Sequence, residues 1–249
     1  MMRGILAAAG AALVGGAVAK VALRGPAAKP ADTPLAPLVL PAGVVVREEP
    51  GRRPGPLVVV LHGANDNETQ LVPYLASIDA HKIYVRGFLP AGKGFHWLKS
   101  RIRKTPEPEF LRELEATGAR LALLVRSMQV QRGAPSVVVA GFSQGGHLAW
   151  YLAARGVVDG AAIASGALPP SFAVSRPSRK VLLRYVSGVE DKTVPWEFVR
   201  TTAGRFRDAG YEVQGRQVKA GHSLSRVGPD FSRTLDQVLV RVADSGTGR

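Results

Sequence analysis

The chain has 249 residues, 46% hydrophobic and 21% charged, a balance that excludes a disordered chain or a multi-span membrane protein and allows a sizeable core. The absence of cysteine excludes thiolate zinc sites, structural disulfides, a cysteine nucleophile and a lipid-modified N-terminal cysteine. Thirty-three Lys and Arg against 19 Asp and Glu, a net charge of +14, favour an anionic membrane surface as partner, but their scatter, with no zinc-finger or RNA-binding signature, argues against specific nucleic-acid binding.

The chain opens with Arg3 and then Gly4 to Ala19, an apolar Ala/Gly-rich stretch without a polar face. It reads as a membrane-targeting segment, either a signal peptide cut after Ala17-Val18-Ala19 or an uncleaved anchor, and it predicts an exported or membrane-tethered protein. A helix packed on the domain is the structural alternative. Residues 1–24 are therefore assigned to the leader. Residues 25–42 carry Pro26, Pro30, Pro34, Pro37 and Pro41 among alanines, the composition of an extended tether. Residues 43–244 form the folded domain, which starts near Val44.

Within the domain, short β-branched runs alternate with stretches of helical period, which predicts an α/β fold with a mostly parallel sheet and helices on both faces. Strands are expected at 43–48, 56–62, 82–88, 136–142, 160–165, 180–187 and 211–217. Helices are expected at 69–80, 107–132, 145–155, 195–209 and 223–242. Continuous apolar runs such as Leu57-Val58-Val59-Val60-Leu61 fit strands covered on both sides. In such a sheet, ligands bind beyond the carboxyl ends of the strands, so the residues following each strand are the candidates for chemistry. The basic groups Arg52-Arg53, Arg101 to Lys104, Arg176 to Lys180 and Arg205 and Arg207 are scattered along the chain, the last two within the helix expected at 195–209.

Gly141-Phe142-Ser143-Gln144-Gly145 is G-x-S-x-G, placed between an apolar strand and a helical run. Residues without side chains at the flanking positions let strand and helix close on a strained turn, which presents the Ser143 hydroxyl at the helix's positive end. A serine N-cap on a Gly-rich connection is the plainer alternative. A serine nucleophile needs a base, and His222 stands between the last predicted strand and the last helix, where a loop can reach back over Ser143. His81, His96 and His147 read as structural histidines, with His147 turned away from Ser143 by its helix. The acid should follow another strand. Asp191 takes this role, with Glu190 as its minor alternative and helix capping before Pro195 as the competing reading. The order Ser143, Asp191, His222 is that of α/β-hydrolases. Backbone N–H groups of Gln144 and Ala64 are the oxyanion donors, while His62 orders the Leu61-His62-Gly63-Ala64 loop.

Leu61-His62-Gly63, Gly141-Phe142-Ser143-Gln144-Gly145-Gly146, Gly188-Val189-Glu190-Asp191-Lys192-Thr193-Val194-Pro195 and Gly221-His222 together resemble the phospholipase/carboxylesterase family, which includes the acyl-protein thioesterases. The resemblance implies an α/β-hydrolase that cleaves small-molecule or lipid acyl esters or thioesters without metal or cofactor. Two positions depart from the family pattern. Ala64-Asn65-Asp66-Asn67 stands where a Gly usually follows His-Gly, and Ser187 stands where His commonly precedes the Gly of the acid block. A leader pointing outside the cytoplasm argues against protein depalmitoylation. Peptidase or acyltransferase chemistry on the same three residues, and a catalytically inactive basic binding module, are the rival readings.

Overall fold

The computed structural model describes residues 35–246. The leader, and the tether up to residue 34, lie outside the described residues. The chain divides into two units, 1–37 and 38–249. Of the first, residues 35–37 are described and form neither helix nor strand.

In the second unit the elements run in the order β1 (Val46–Glu49), β2 (Leu57–Leu61), α1 (Val72–Leu75), β3 (His81–Val85), β4 (Leu89–Ala91), β5 (Gly94–His96), α2 (Glu107–Arg132), β6 (Val137–Phe142), α3 (Gln144–Ala154), β7 (Gly160–Ala164), β8 (Leu182–Gly188), α4 (Trp196–Asp208), β9 (Glu212–Val218) and α5 (Leu224–Gly246). Seven strands form one sheet in the order β1-β3-β2-β6-β7-β8-β9. Within this sheet, among the described residues, β1 alone runs antiparallel to its neighbour. The other six strands therefore share one carboxyl edge.

The apolar runs in β2 and β6 lack alternation because both faces of the sheet are covered. Leu57, Val59 and Leu61 pack in one cluster with Leu114, Leu121 and Val125 of α2 and Leu148 of α3. Val58 and Val60 point the other way, into a second cluster with Leu75 of α1 and Val227, Phe231 and Leu235 of α5. Each such side chain contributes about 1.5 to 3 kcal/mol on full burial. Among the described residues, no helix is long and apolar enough to cross a membrane.

Three features differ from the sequence expectations. The helix expected at 69–80 shrinks to the four residues of α1, because Pro73 has no N–H to donate to Thr69. The surrounding chain closes instead by three-residue turns, Gln70 N–H to Asn67 O, Val72 N–H to Thr69 O and Tyr74 N–H to Leu71 O. Buried Lys82 then donates to the carbonyls of Leu75 (3.2 Å) and Ile78 (2.6 Å). Second, β4 and β5 form an unexpected hairpin, turned by Gly92 at φ 58°. Third, the compact unit begins at Leu38 rather than at residue 43. Leu38 and Leu40 pack against the first core cluster, and Val39 exchanges two hydrogen bonds with the Gln131 amide.

Candidate active site

Ser143 joins β6 to α3 with φ 55° and ψ −113°, a left-handed conformation that costs a side-chain-bearing residue about 1 to 3 kcal/mol. Its N–H donates to Ala164 O on β7, and its carbonyl accepts from His147 N–H. The flanking glycines permit this turn by close approach. A Cβ on Gly141 would lie 2.2 Å from Gly145 O, and one on Gly145 would lie 2.1 Å from Leu61 O. No side chain fits at either place, which is the physical content of the pattern G-x-S-x-G here.

His222 follows β9 and precedes α5, and its Nε2 stands 2.8 Å from Ser143 Oγ. Its Nδ1 stands 2.7 Å from Oδ2 of Asp191, whose side chain has no solvent exposure. The remaining oxygen of that carboxylate, Oδ1, accepts the backbone N–H groups of Thr193 (2.9 Å) and Val194 (2.8 Å), which fixes its orientation toward His222. Phe142 stacks on the imidazole at 5.2 Å between ring centres. Glu190, the alternative acid, is exposed at the surface. The structure thus brings together the three side chains singled out in the sequence, from loops after three different strands.

The loop after β2 lies against the start of α3 through Gly145 N–H to His62 O. Gly63 N–H is occupied by Gln70 Oε1 at 2.7 Å. Ala64 and Gln144 line the same cleft as Ser143. No protein acceptor takes the N–H of Ala64 or Gln144 among the described residues. Asn65 adopts φ 63°, and Asn is among the side chains that tolerate this left-handed turn best. The chain therefore makes the bend without the glycine expected behind His-Gly.

The comparisons with known proteins agree with this frame. Residues 113–229, which include Ser143, Asp191 and His222, match the Phospholipase/Carboxylesterase family model. Solved structures that superpose include a carboxylesterase from Bacillus cereus, at 17% identity and TM-score 0.69 over 79% of this chain and 95% of that one. A carboxylesterase from Mesorhizobium loti superposes at 21% identity and TM-score 0.69 over 82% and 99%. Acyl-protein thioesterase 2 from Zea mays does so at 18% identity and TM-score 0.58 over 82% and 99%. No curated protein matches the sequence at significant similarity.

By fold this is an α/β-hydrolase, and by sequence it resembles the phospholipase/carboxylesterase family. Other side chains around Ser143 and the loop after β2 complete this frame. Gly87 N–H donates to His62 Nε2 (2.8 Å), so Nδ1 carries the proton and donates to Gly63 O (2.6 Å). Burial holds the His62 imidazole below its ordinary pKa, and the ring orders the loop as expected. His81 pairs with Glu48 and His96 with Asn65. His147 corrects the sequence reading in part. Its Nδ1 meets the backbone of Ala167 and its edge meets Phe110, yet the residue also lines the cleft beside Ser143. Complete burial pushes its pKa down to about 4, so it is neutral at pH 7.

Sequence reasoning missed the Gln144 side chain. Its Oε1 accepts Trp97 N–H (3.0 Å) and Leu98 N–H (3.3 Å), and its Nε2 donates to Leu98 O (2.7 Å). The residue after Ser143 thereby pins the segment that follows the hairpin. The only available signal was the Gln inside G-F-S-Q-G-G. The cleft itself encloses about 740 Å³. Among the described residues, no group of three or more His, Asp or Glu is arranged to hold a metal ion.

Proposed function

We propose that this α/β-hydrolase is a serine esterase that cleaves carboxylic esters or thioesters of acyl chains through an acyl-enzyme. The observation that carries the reading is the hydrogen-bonded line from Asp191 through His222 to Ser143, which sits on a strained turn and lines a cleft. Ser143 Oγ attacks the ester carbonyl carbon while His222 Nε2 takes its proton. Asp191 holds the Nδ1–H and stabilises the imidazolium that forms. The N–H groups of Ala64 and Gln144 are the donors toward the developing oxyanion, each worth about 2.7 to 4 kcal/mol in comparable sites. His222 then protonates the leaving alcohol or thiol, and water releases the acid by the same steps in reverse roles. The net reaction is ester plus water giving acid plus alcohol.

Ser143→Ala tests this directly. Turnover of p-nitrophenyl acyl esters should fall by roughly 10³-fold or more, with an unchanged circular dichroism spectrum, and adding His222→Ala should cost little further because the residues act as a unit. Full activity in Ser143→Ala would refute the assignment. From the leader sequence we also propose that the enzyme works outside the cytoplasm or at a membrane. Fractionation of cells expressing the full chain tests that, and recovery in the cytosol alone would contradict it.

A further inference from the structure

The cleft in front of Ser143 is unusual in its charge. Four basic side chains, Arg101, Arg103, Lys104 and Lys192, line it, and no carboxylate does. All four are exposed, and none forms an ion pair with a carboxylate among the described residues. Elsewhere among the described residues some arginines pair with acids, Arg86 with Glu68, Arg184 with Glu212 and Arg233 with Asp230, while others such as Arg53 and Arg126 do not; what sets the cleft apart is that four such cations share one opening. Like charges gathered around one opening repel each other, and the field that results attracts an anion.

The cations sit on loops built to hold them. Residues 101–105 form a closed turn, with Lys104 N–H and Thr105 N–H donating to Arg101 O and Arg101 N–H donating to Thr105 Oγ1. The nearby carboxylate of Glu113 is occupied by the backbone N–H groups of Lys99 and Ser100. Arg103 has φ 65°, a conformation that a side-chain-bearing residue adopts only when its surroundings impose it. Its guanidinium reaches Lys192 O at 3.4 Å and lies 5.5 Å over the Phe198 ring, tying the turn to the loop that carries Asp191. Ile102, Phe142 and Val194 give the same cleft an apolar floor.

We infer that the cleft selects soluble esters bearing an anionic group, a carboxylate or phosphate, which Arg101, Arg103, Lys104 and Lys192 hold while the apolar part of the substrate lies on the floor beside Ser143. The inference rests on the esterase reading above and narrows it to a substrate class. Guanidinium and ammonium groups at the rim of a partly enclosed cleft act on an anionic substrate through both encounter rate and binding, and salt weakens both.

The test compares two p-nitrophenyl esters of equal chain length, neutral p-nitrophenyl hexanoate and anionic mono-p-nitrophenyl adipate, on the full-length protein. We expect kcat/KM for the adipate ester to exceed that for the hexanoate by tenfold or more at low salt, and the ratio to collapse with added sodium chloride. In the combined variant Arg101→Gln, Arg103→Gln, Lys104→Gln and Lys192→Gln the ratio should fall at least tenfold and lose its salt dependence. Should that variant fail to fold, the salt titration of the unaltered protein decides alone. Hexanoate turnover with no preference for the adipate and no salt effect overturns the inference and leaves the esterase reading standing. Absence of turnover of either ester overturns both. Flotation with phosphatidylglycerol vesicles that the variant loses, with the ester ratio unmoved, assigns the cations to a lipid surface and overturns the soluble-substrate proposal.

Discussion

Asp191 makes three hydrogen bonds with two oxygens, and the division of labour between them defines what each residue in the line can do. Oδ1 belongs to the loop, through Thr193 and Val194, and Oδ2 belongs to His222. Asp191→Asn can keep the first set but turns its NH₂ or its lost charge toward the imidazole, so the histidine is held in the wrong tautomer. We expect kcat to drop on the order of 10³ to 10⁴-fold with little change in thermal stability, as read by ester turnover beside a melting curve. A variant that loses activity and stability together would point to loop collapse. Ser143, Asp191 and His222 were legible in the sequence because each lies just beyond a strand in a short, compositionally distinct block. The Phe142 ring against His222 was not, because nothing local to either residue records a contact between positions so far apart in the chain.

At the level of elements, the segment between the hairpin and α2 is held by a side chain from the first turn of α3. Gln144 satisfies two N–H groups and one carbonyl in the segment between the hairpin and α2, all of them buried. Gln144→Ala leaves those groups unpaired at about 1 to 3 kcal/mol each at most, so the melting temperature should fall by several degrees. A melting curve identical to that of the unaltered protein would show that the segment holds without it. The central strands such as β2 and β6 were readable because continuous apolar runs require cover on both faces, and the two core clusters supply that cover, whereas the edge strands β1 and β9 are largely polar. The β4–β5 hairpin was hidden for the opposite reason. Pro90, Gly92 and Gly94 are poor strand formers, and Gly94 is there because a Cβ would lie 2.4 Å from the Asn65 backbone. Its pairing is fixed by tertiary approach to the loop after β2, through Phe95 N–H to Asp66 O.

Across the whole molecule, buried histidines set the response to acid. The pKa of His147 is lowered by burial to about 4 from 6.5, and that of His62 is lowered by the same cause. Between pH 6.5 and 4 the unfolded chain binds a proton at position 147 that the folded one refuses, so stability is complete above pH 6.5 and is lost as pH falls through that window. The His147 contribution is on the order of 3 kcal/mol. Glu68 and Glu212, whose carboxyls are held down by hydrogen bonds from Arg86 and Arg184, add a loss of the same sign only below about pH 4.5. Denaturant unfolding at pH 7.5, 6 and 5 should show this fall, and His147→Gln should flatten it; equal slopes in both proteins would contradict the account.

The central claim is that one hydroxyl among the many on this chain is made nucleophilic by the imidazole beside it. Treatment with a fluorophosphonate probe, followed by peptide mass mapping, reads that hydroxyl alone. The account predicts a single phosphonyl adduct on the peptide that contains Ser143, reduced by orders of magnitude in His222→Ala. An adduct on another residue, or equal labelling of Ser143 with and without His222, would contradict it.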